Sequence, residues 1–254
     1  MQTEDNVLEI ALELAASEPA HRPEFFRLLL ESTIFILGSS GQIEAEERDE
    51  GLITLKKNTP IQITNWVKPD GSSVIPFFSS LRALQQAIAS DEKYIALPAR
   101  TFFAITRGAD LILNPRSAFG KEFTPAEVEA LLAEGVNQAA TPMVMETDTE
   151  ILLGQPSNYP QRMVASLTTL LAKYSNVKAA YLALIHDRSR DEKPHLIVGI
   201  EADGDFENVI RDVGTVAADT APDGEPVDLI RVVRGESGVG QYFLEEVKPF
   251  YQRD

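Results

Sequence analysis

Val7, Leu8, Ile10, Ala11, Leu14 and Ala15 recur at helical spacing and predict an amphipathic helix over Asn6 to Ser17. Pro19 ends it, and Pro23 suits the first turn of a second helix carrying Phe25, Phe26, Leu28, Leu29 and Leu30. Ile34 to Leu37 is a short apolar run that reads as a strand, and Gly38 to Gly51 is a polar, acidic insert that reads as a solvated loop. Ile61 to Trp66 alternates with period two, Lys68-Pro69-Asp70-Gly71 is a turn, and Val74 to Phe78 follows, so a hairpin is predicted. Pro76 inside that run points to an edge strand or a strand end, because proline donates no ladder hydrogen bond.

Ser80 is placed to cap a helix running to Ser90, and Tyr94 to Leu97 and Leu111 to Leu113 read as strands. Thr124-Pro125-Ala126-Glu127 carries a capping box with proline at the first helical position, and Gly135 supplies the stop. The stretch from Gly135 to Pro160 is broken by glycine and proline and has weak periodicity, although Glu150 to Leu153 could form a strand. Beyond it the pattern predicts a helix over Gln161 to Tyr174 and strands over Lys178 to Ile185 and His195 to Glu201. A helix over Phe206 to Ala217, a strand over Val227 to Val233 and a helix over Gly240 to Val247 complete it. Helices and strands are mixed in both halves. The expectation is an α+β chain of two small domains in tandem: residues 1–140, a linker at 141–160, and residues 161–254.

With 44% hydrophobic residues among 254, the chain can bury a core without covalent staples. It has no cysteine, which excludes disulfides, thiolate metal sites and cysteine nucleophiles and fits a reducing compartment. The N-terminal segment is acidic rather than basic and lacks a continuous apolar stretch, and no apolar run is long enough to span a bilayer; a cytoplasmic location is expected. A net charge of −16 opposes nucleic-acid backbones and anionic membrane surfaces.

Several stretches resemble the SseB (enhanced serine sensitivity) family. They are Glu18-Pro19-Ala20-His21-Arg22-Pro23 with Phe25-Phe26; Ser73-Val74-Ile75-Pro76-Phe77-Phe78; Gly120-Lys121-Glu122-Phe123; Ser166-Leu167-Thr168-Thr169-Leu170; Gly199-Ile200-Glu201-Ala202-Asp203-Gly204-Asp205; and Pro249-Phe250-Tyr251. They fall in family order over nearly the whole chain. The resemblance implies an N-terminal and a distinct C-terminal SseB domain, and a link to serine metabolism through the family's name. It carries no catalytic residues.

Candidate chemistry is sparse. Glu201, Asp203 and Asp205 lie where a strand runs into a helix, and such carboxylates could hold a hard cation or cap the helix. Their spacing fails the EF-hand pattern, which wants glycine sixth and glutamate twelfth. The three histidines are His21, His186 and His195; His21-Arg22 reads as a helix start, with anion binding as the sharper option. Gly235 to Gly240 fits neither a P-loop nor a dinucleotide motif and reads as a turn. Phe25, Phe26, Phe77 and Phe78 are expected in the core, while Phe250 and Tyr251 either pack the C-terminal segment or form a partner patch.

The leading expectation is a non-enzymatic binding protein with a protein partner and no cofactor. Alternatives are a sensor of an amino acid or small metabolite, with His21, Arg22 and Glu201 as liners, and an enzyme using a divalent metal at Glu201, Asp203 and Asp205.

Overall fold

A computed structural model describes residues 6–40, 60–136, 151–189 and 191–253. Most of the polar insert and the 141–150 part of the expected linker lie outside the described residues. The chain divides into two compact units. Residues 1–13 and 26–135 form one, and residues 14–25 and 136–254 form the other.

The first described elements are α1 (Val7–Ser17), a 3-10 turn (Pro19–His21) and α2 (Arg22–Glu31). In the first unit there follow β1 (Thr33–Ser40), β2 (Ile61–Ile63), β3 (Trp66–Val67), β4 (Ser73–Phe78), α3 (Leu81–Ala87), β5 (Tyr94–Pro98), α4 (Ala99–Ile105), β6 (Leu111–Leu113), β7 (Lys121–Phe123) and α5 (Pro125–Glu134). The sheet runs β2-β1-β4-β6-β7, with β5 also on β1 and β3 also on β4. The predicted hairpin is present as β3 and β4, with Trp66 opposite Val74. The alternating run before it is split into β2, on β1, and β3.

Pro76 is not on an edge. β4 is central, parallel to β6 with Pro76 opposite Ile112. Ile75 N–H donates to Asp110 and Phe77 C=O accepts from Asn114, both on the β6 side. Residues 74, 76 and 78 therefore face the other way, since successive residues of a strand alternate. Val74 meets β3 and Phe78 meets β1, so Pro76 falls where one neighbour gives way to the next. The missing donor costs no ladder bond there.

Period two also sorts the core of this unit. Phe77 joins Phe102, Phe103 and Phe123, with ring centroids 5.0–5.8 Å from it. Its neighbour Phe78 turns to the other face, against Leu37, Ala83, Leu84 and Ala87 of β1 and α3. α4 and β7 were not expected from the sequence, and together they supply three of these rings. The capping box of α5 forms as read: Thr124 Oγ1 accepts from Glu127 N–H at 3.3 Å, and Glu127 accepts from Thr124 N–H at 2.9 Å. Gly135 closes the helix at φ 76°, a left-handed position that glycine adopts without strain.

The second unit holds β8 (Ile151–Gly154), α6 (Gln161–Leu171), β9 (Val177–Asp187), β10 (His195–Ala202), α7 (Glu207–Thr220), β11 (Val227–Arg231), α8 (Val239–Glu246) and β12 (Tyr251–Gln252). A short 3-10 turn (Pro222–Gly224) precedes β11. The sheet order is β11-β10-β9-β12, with β8 also on β9. β9 and β10 pair antiparallel, whereas β11 is parallel to β10, with α7 making the crossover.

Both faces of this sheet are covered, so its strands read as near-continuous apolar runs. Ala180, Leu182, Val198 and Ile200 pack with Met163, Leu167, Val213 and Val216 of α6 and α7. Ala179, Tyr181, Ala183 and Ile197 face α8 through Phe243 and Val247. Gly199 lies under that helix: a Cβ there would come within 2.6 Å of the Phe243 ring.

Candidate functional site

In the first unit the parallel strands β4 and β6 end at the same edge of the sheet, and the chain leaves each through a polar turn: Ser79-Ser80 after β4, Asn114-Pro115-Arg116-Ser117 after β6. Ends of parallel strands are where α/β sheets commonly build ligand sites. A cleft of ≈ 350 Å³ opens there, lined from α1, α3 and the turn after β6.

The floor is a closed hydrogen-bond network. Asn114 Oδ1 accepts from Ser79 N–H at 2.9 Å, and its Nδ2 donates to Ser79 Oγ at 2.8 Å. Asn6, which caps α1 by accepting from Leu8 N–H, donates to the Ser79 carbonyl at 2.9 Å. Glu9 accepts from Ser79 Oγ at 2.9 Å, from Ser80 Oγ at 2.6 Å and from Arg82 at 2.7 Å. Partial burial pushes the Glu9 carboxyl upward. The hydrogen bonds from Ser80, Arg82 and Ser79 more than offset this and hold it below the ordinary glutamate value. Ser80 Oγ also accepts from Ala83 N–H, capping α3.

The turn after β6 is strained. Asn114 and Arg116 adopt φ 48° and 70°, in the left-handed region, which asparagine tolerates but which costs a residue such as Arg116 about 1–2 kcal/mol. Asn114 is held there by Ser79. Arg116 donates to the Ala87 carbonyl at the end of α3, and its guanidinium lies over Trp66, 5.4 Å from the ring. Strain of this kind persists only where surrounding contacts over-determine it, and it gathers at functional sites.

Ser79 is buried, and both serine hydroxyls engage one carboxylate instead of an exposed base. Each of the chain's three histidines belongs to the second unit.

The residues singled out from sequence lie elsewhere. Arg22 pairs with Asp219 at 2.6 Å and donates to the Ala15 carbonyl. His21 Nδ1 sits 3.2 Å from Lys173 Nζ, which also donates to the Ala20 carbonyl. These contacts hold the 14–25 segment on α6 and α7. Glu201, Asp203 and Asp205 do not converge. Glu201 is buried and takes a two-point contact from Arg234 at 2.7 and 3.1 Å. Asp203 pairs with Lys178 at 2.7 Å at the surface. Asp205 accepts from the backbone and the side chain of Asn208 in the first turn of α7, one residue ahead of the cap position, which Phe206 occupies without a side-chain cap bond. Among the described residues no three His, Cys, Asp or Glu side chains group so as to hold a metal.

Phe250 and Tyr251 are half-buried against the second unit's core, where β12 adds to the edge of β9: Phe250 N–H donates to Ala180. Arg253 then donates to the carbonyls of Ala172, Tyr174 and Val177. Among the described residues no helix is long and apolar enough to cross a membrane.

Sequence reasoning found Ser80 as a cap but missed Glu9, Ser79, Asn114 and Arg116 as one site. The available signal was a polar pair closing an apolar strand, and Asn-Pro closing another. What joins them is a pairing between residues 35 apart.

Residues 8–130 match the family model described as SseB protein N-terminal domain, and residues 145–253 match SseB protein C-terminal domain. The chain is 42% identical over 253 residues to Protein SseB of Escherichia coli (strain K12) and to Protein SseB of Shigella flexneri, covering 100% of this chain and 94% of each relative. No solved structure matches it.

Proposed function

The chain belongs to the SseB family, and from that membership and its N-terminal cleft we propose that it is a non-catalytic binding protein whose recognition site is the cleft lined by Ile10, Arg82, Arg116 and Phe119. The observation that carries this reading is the pair of left-handed residues, Asn114 and Arg116, which line the cleft and are fixed by hydrogen bonds. Pre-set geometry lowers the ordering cost of binding. A protein partner fits the open, mixed polar and apolar lining.

The test is quantitative capture from cell extract by the immobilised full chain, compared with a chain carrying Ile10→Ser and Phe119→Ser. Both residues line the cleft and both are exposed, so the fold is expected to survive. A partner kept by the wild type and lost by the variant supports the reading. Equal retention of every captured protein sinks it. Adding serine and other amino acids to a thermal-shift assay tests the metabolite alternative, because a ligand specific to the folded state raises its melting temperature.

A further inference from the structure

We propose that the groove between α6 and α7 is a docking site for the segment Leu14–Phe25 that a second copy of this chain can fill in place of the chain's own, pairing two copies by exchange of that segment.

The segment and its groove come from opposite halves of the sequence. Residues 14–25 belong to the second unit, while the residues on either side of them, 1–13 and 26–135, form the first. α1 and α2 run through those two boundaries as helices. The segment is therefore carried by the N-terminal half of the chain and the groove by the C-terminal half. Residues 137–150 lead from α5 of the first unit to β8 of the second. A stretch of that length reaches about 50 Å when fully extended, enough to serve another copy.

The occupant of the groove is specified by charge as well as by shape. Ala20, 1% exposed, joins the cluster of Met163, Leu167, Val213 and Val216. Arg22 Nη1 meets Asp219 at 2.6 Å, with side chains only 28% and 13% exposed. Lys173 Nζ donates to the Ala20 carbonyl at 2.9 Å. An ion pair so far from water fixes one register and tolerates no like charge in place of either partner.

The segment also holds its own shape. The Glu18 carboxylate accepts from Ala20 N–H at 3.2 Å, and the Glu18 carbonyl accepts from His21 N–H at 3.0 Å. Arg22 Nε donates to the Ala15 carbonyl at 3.3 Å. These bonds lie within the segment, so it meets a second copy's groove preformed and at little ordering cost. Own and borrowed segments make the same contacts. The tether alone decides between them, and a short tether acts as a local concentration of about millimolar.

The experiment is a charge exchange in the full chain. Arg22→Asp and Asp219→Arg each set like charges against one another within a chain. A mixture of the two variants offers opposite charges only between chains. Sedimentation velocity should show each variant alone as a monomer and the equimolar mixture as a heterodimer, with about tenfold more dimer than either alone at the same total concentration. The double variant, with the pair restored inside one chain, should be a monomer. If a single variant fails to fold alone, refolding the two together should restore the helical circular dichroism along with the dimer. A mixture that stays monomeric, or that does not recover its fold, overturns the proposal. So does a heterodimer in which amide exchange over residues 14–25 is as fast as in the separate variants.

Discussion

Asn114 grips Ser79 at two points, accepting from its backbone N–H at 2.9 Å and donating to its hydroxyl at 2.8 Å. The pair ties the end of β6 to the end of β4. Asn114 is buried and left-handed at once, so its replacement tests packing, hydrogen bonding and backbone strain together.

Asn114→Ala should destabilise the protein by about 2–4 kcal/mol, through two lost hydrogen bonds, an orphaned buried N–H and a left-handed alanine. Asn114→Gly, free of the backbone strain, should recover about 1 kcal/mol of that loss. Urea unfolding followed by fluorescence of Trp66, the chain's single tryptophan, reads the first unit directly. Equal loss in the two variants would show that φ contributes nothing.

Glu9→Gln keeps the shape of the side chain and removes its charge. The loss expected at neutral pH is about 1.5–3 kcal/mol, the scale of a hydrogen bond to a charged group. The Glu9 pKa is lowered on folding, so its contribution is fully present above the ordinary value of 4.5 and is lost as pH falls through the folded value. The gap between wild type and variant should therefore narrow in acid. A gap independent of pH would contradict the assignment.

Gly199→Ala places a methyl group 2.6–2.8 Å from Phe243 and Val232. Overpacking of this kind costs about 1–3 kcal/mol. Adding Phe243→Leu should return part of it, because the two sites share one contact and are not additive. A double-mutant cycle by chemical denaturation measures the coupling, which should be close to zero if α8 simply shifts away.

Arg253→Ala removes the donor that fastens β12 to the end of α6 and the start of β9. Faster hydrogen exchange is expected at the amides of Phe250 and Arg253, which donate to Ala180 and Lys178, with a stability loss of about 1–2 kcal/mol. Unchanged exchange would mean that Phe250 and Tyr251 hold the strand without the arginine.

Neighbours along the chain specify the local elements and the α+β class. The capping box at Thr124 and Glu127, the stop at Gly135 and the strands buried on both faces all depend on neighbours in the chain or on period-two burial, and both are written locally. Local pattern also assigns the phenylalanine pairs to the core. That Pro76 sits in a central strand depends on the assembled sheet, because the gap it fills lies between two other strands. Likewise α4 and β7 are short elements fixed by the rings they bury. Glu201, Asp203 and Asp205 lie close along the chain, yet alternation along β10 and the turn after it sends them to Arg234, Lys178 and Asn208. The cleft unites Asn6 and Glu9 with Ser79 and Asn114 across 70 to 73 positions or by parallel pairing. No local pattern encodes such a meeting, because its energy comes from contacts that exist only after the sheet has formed.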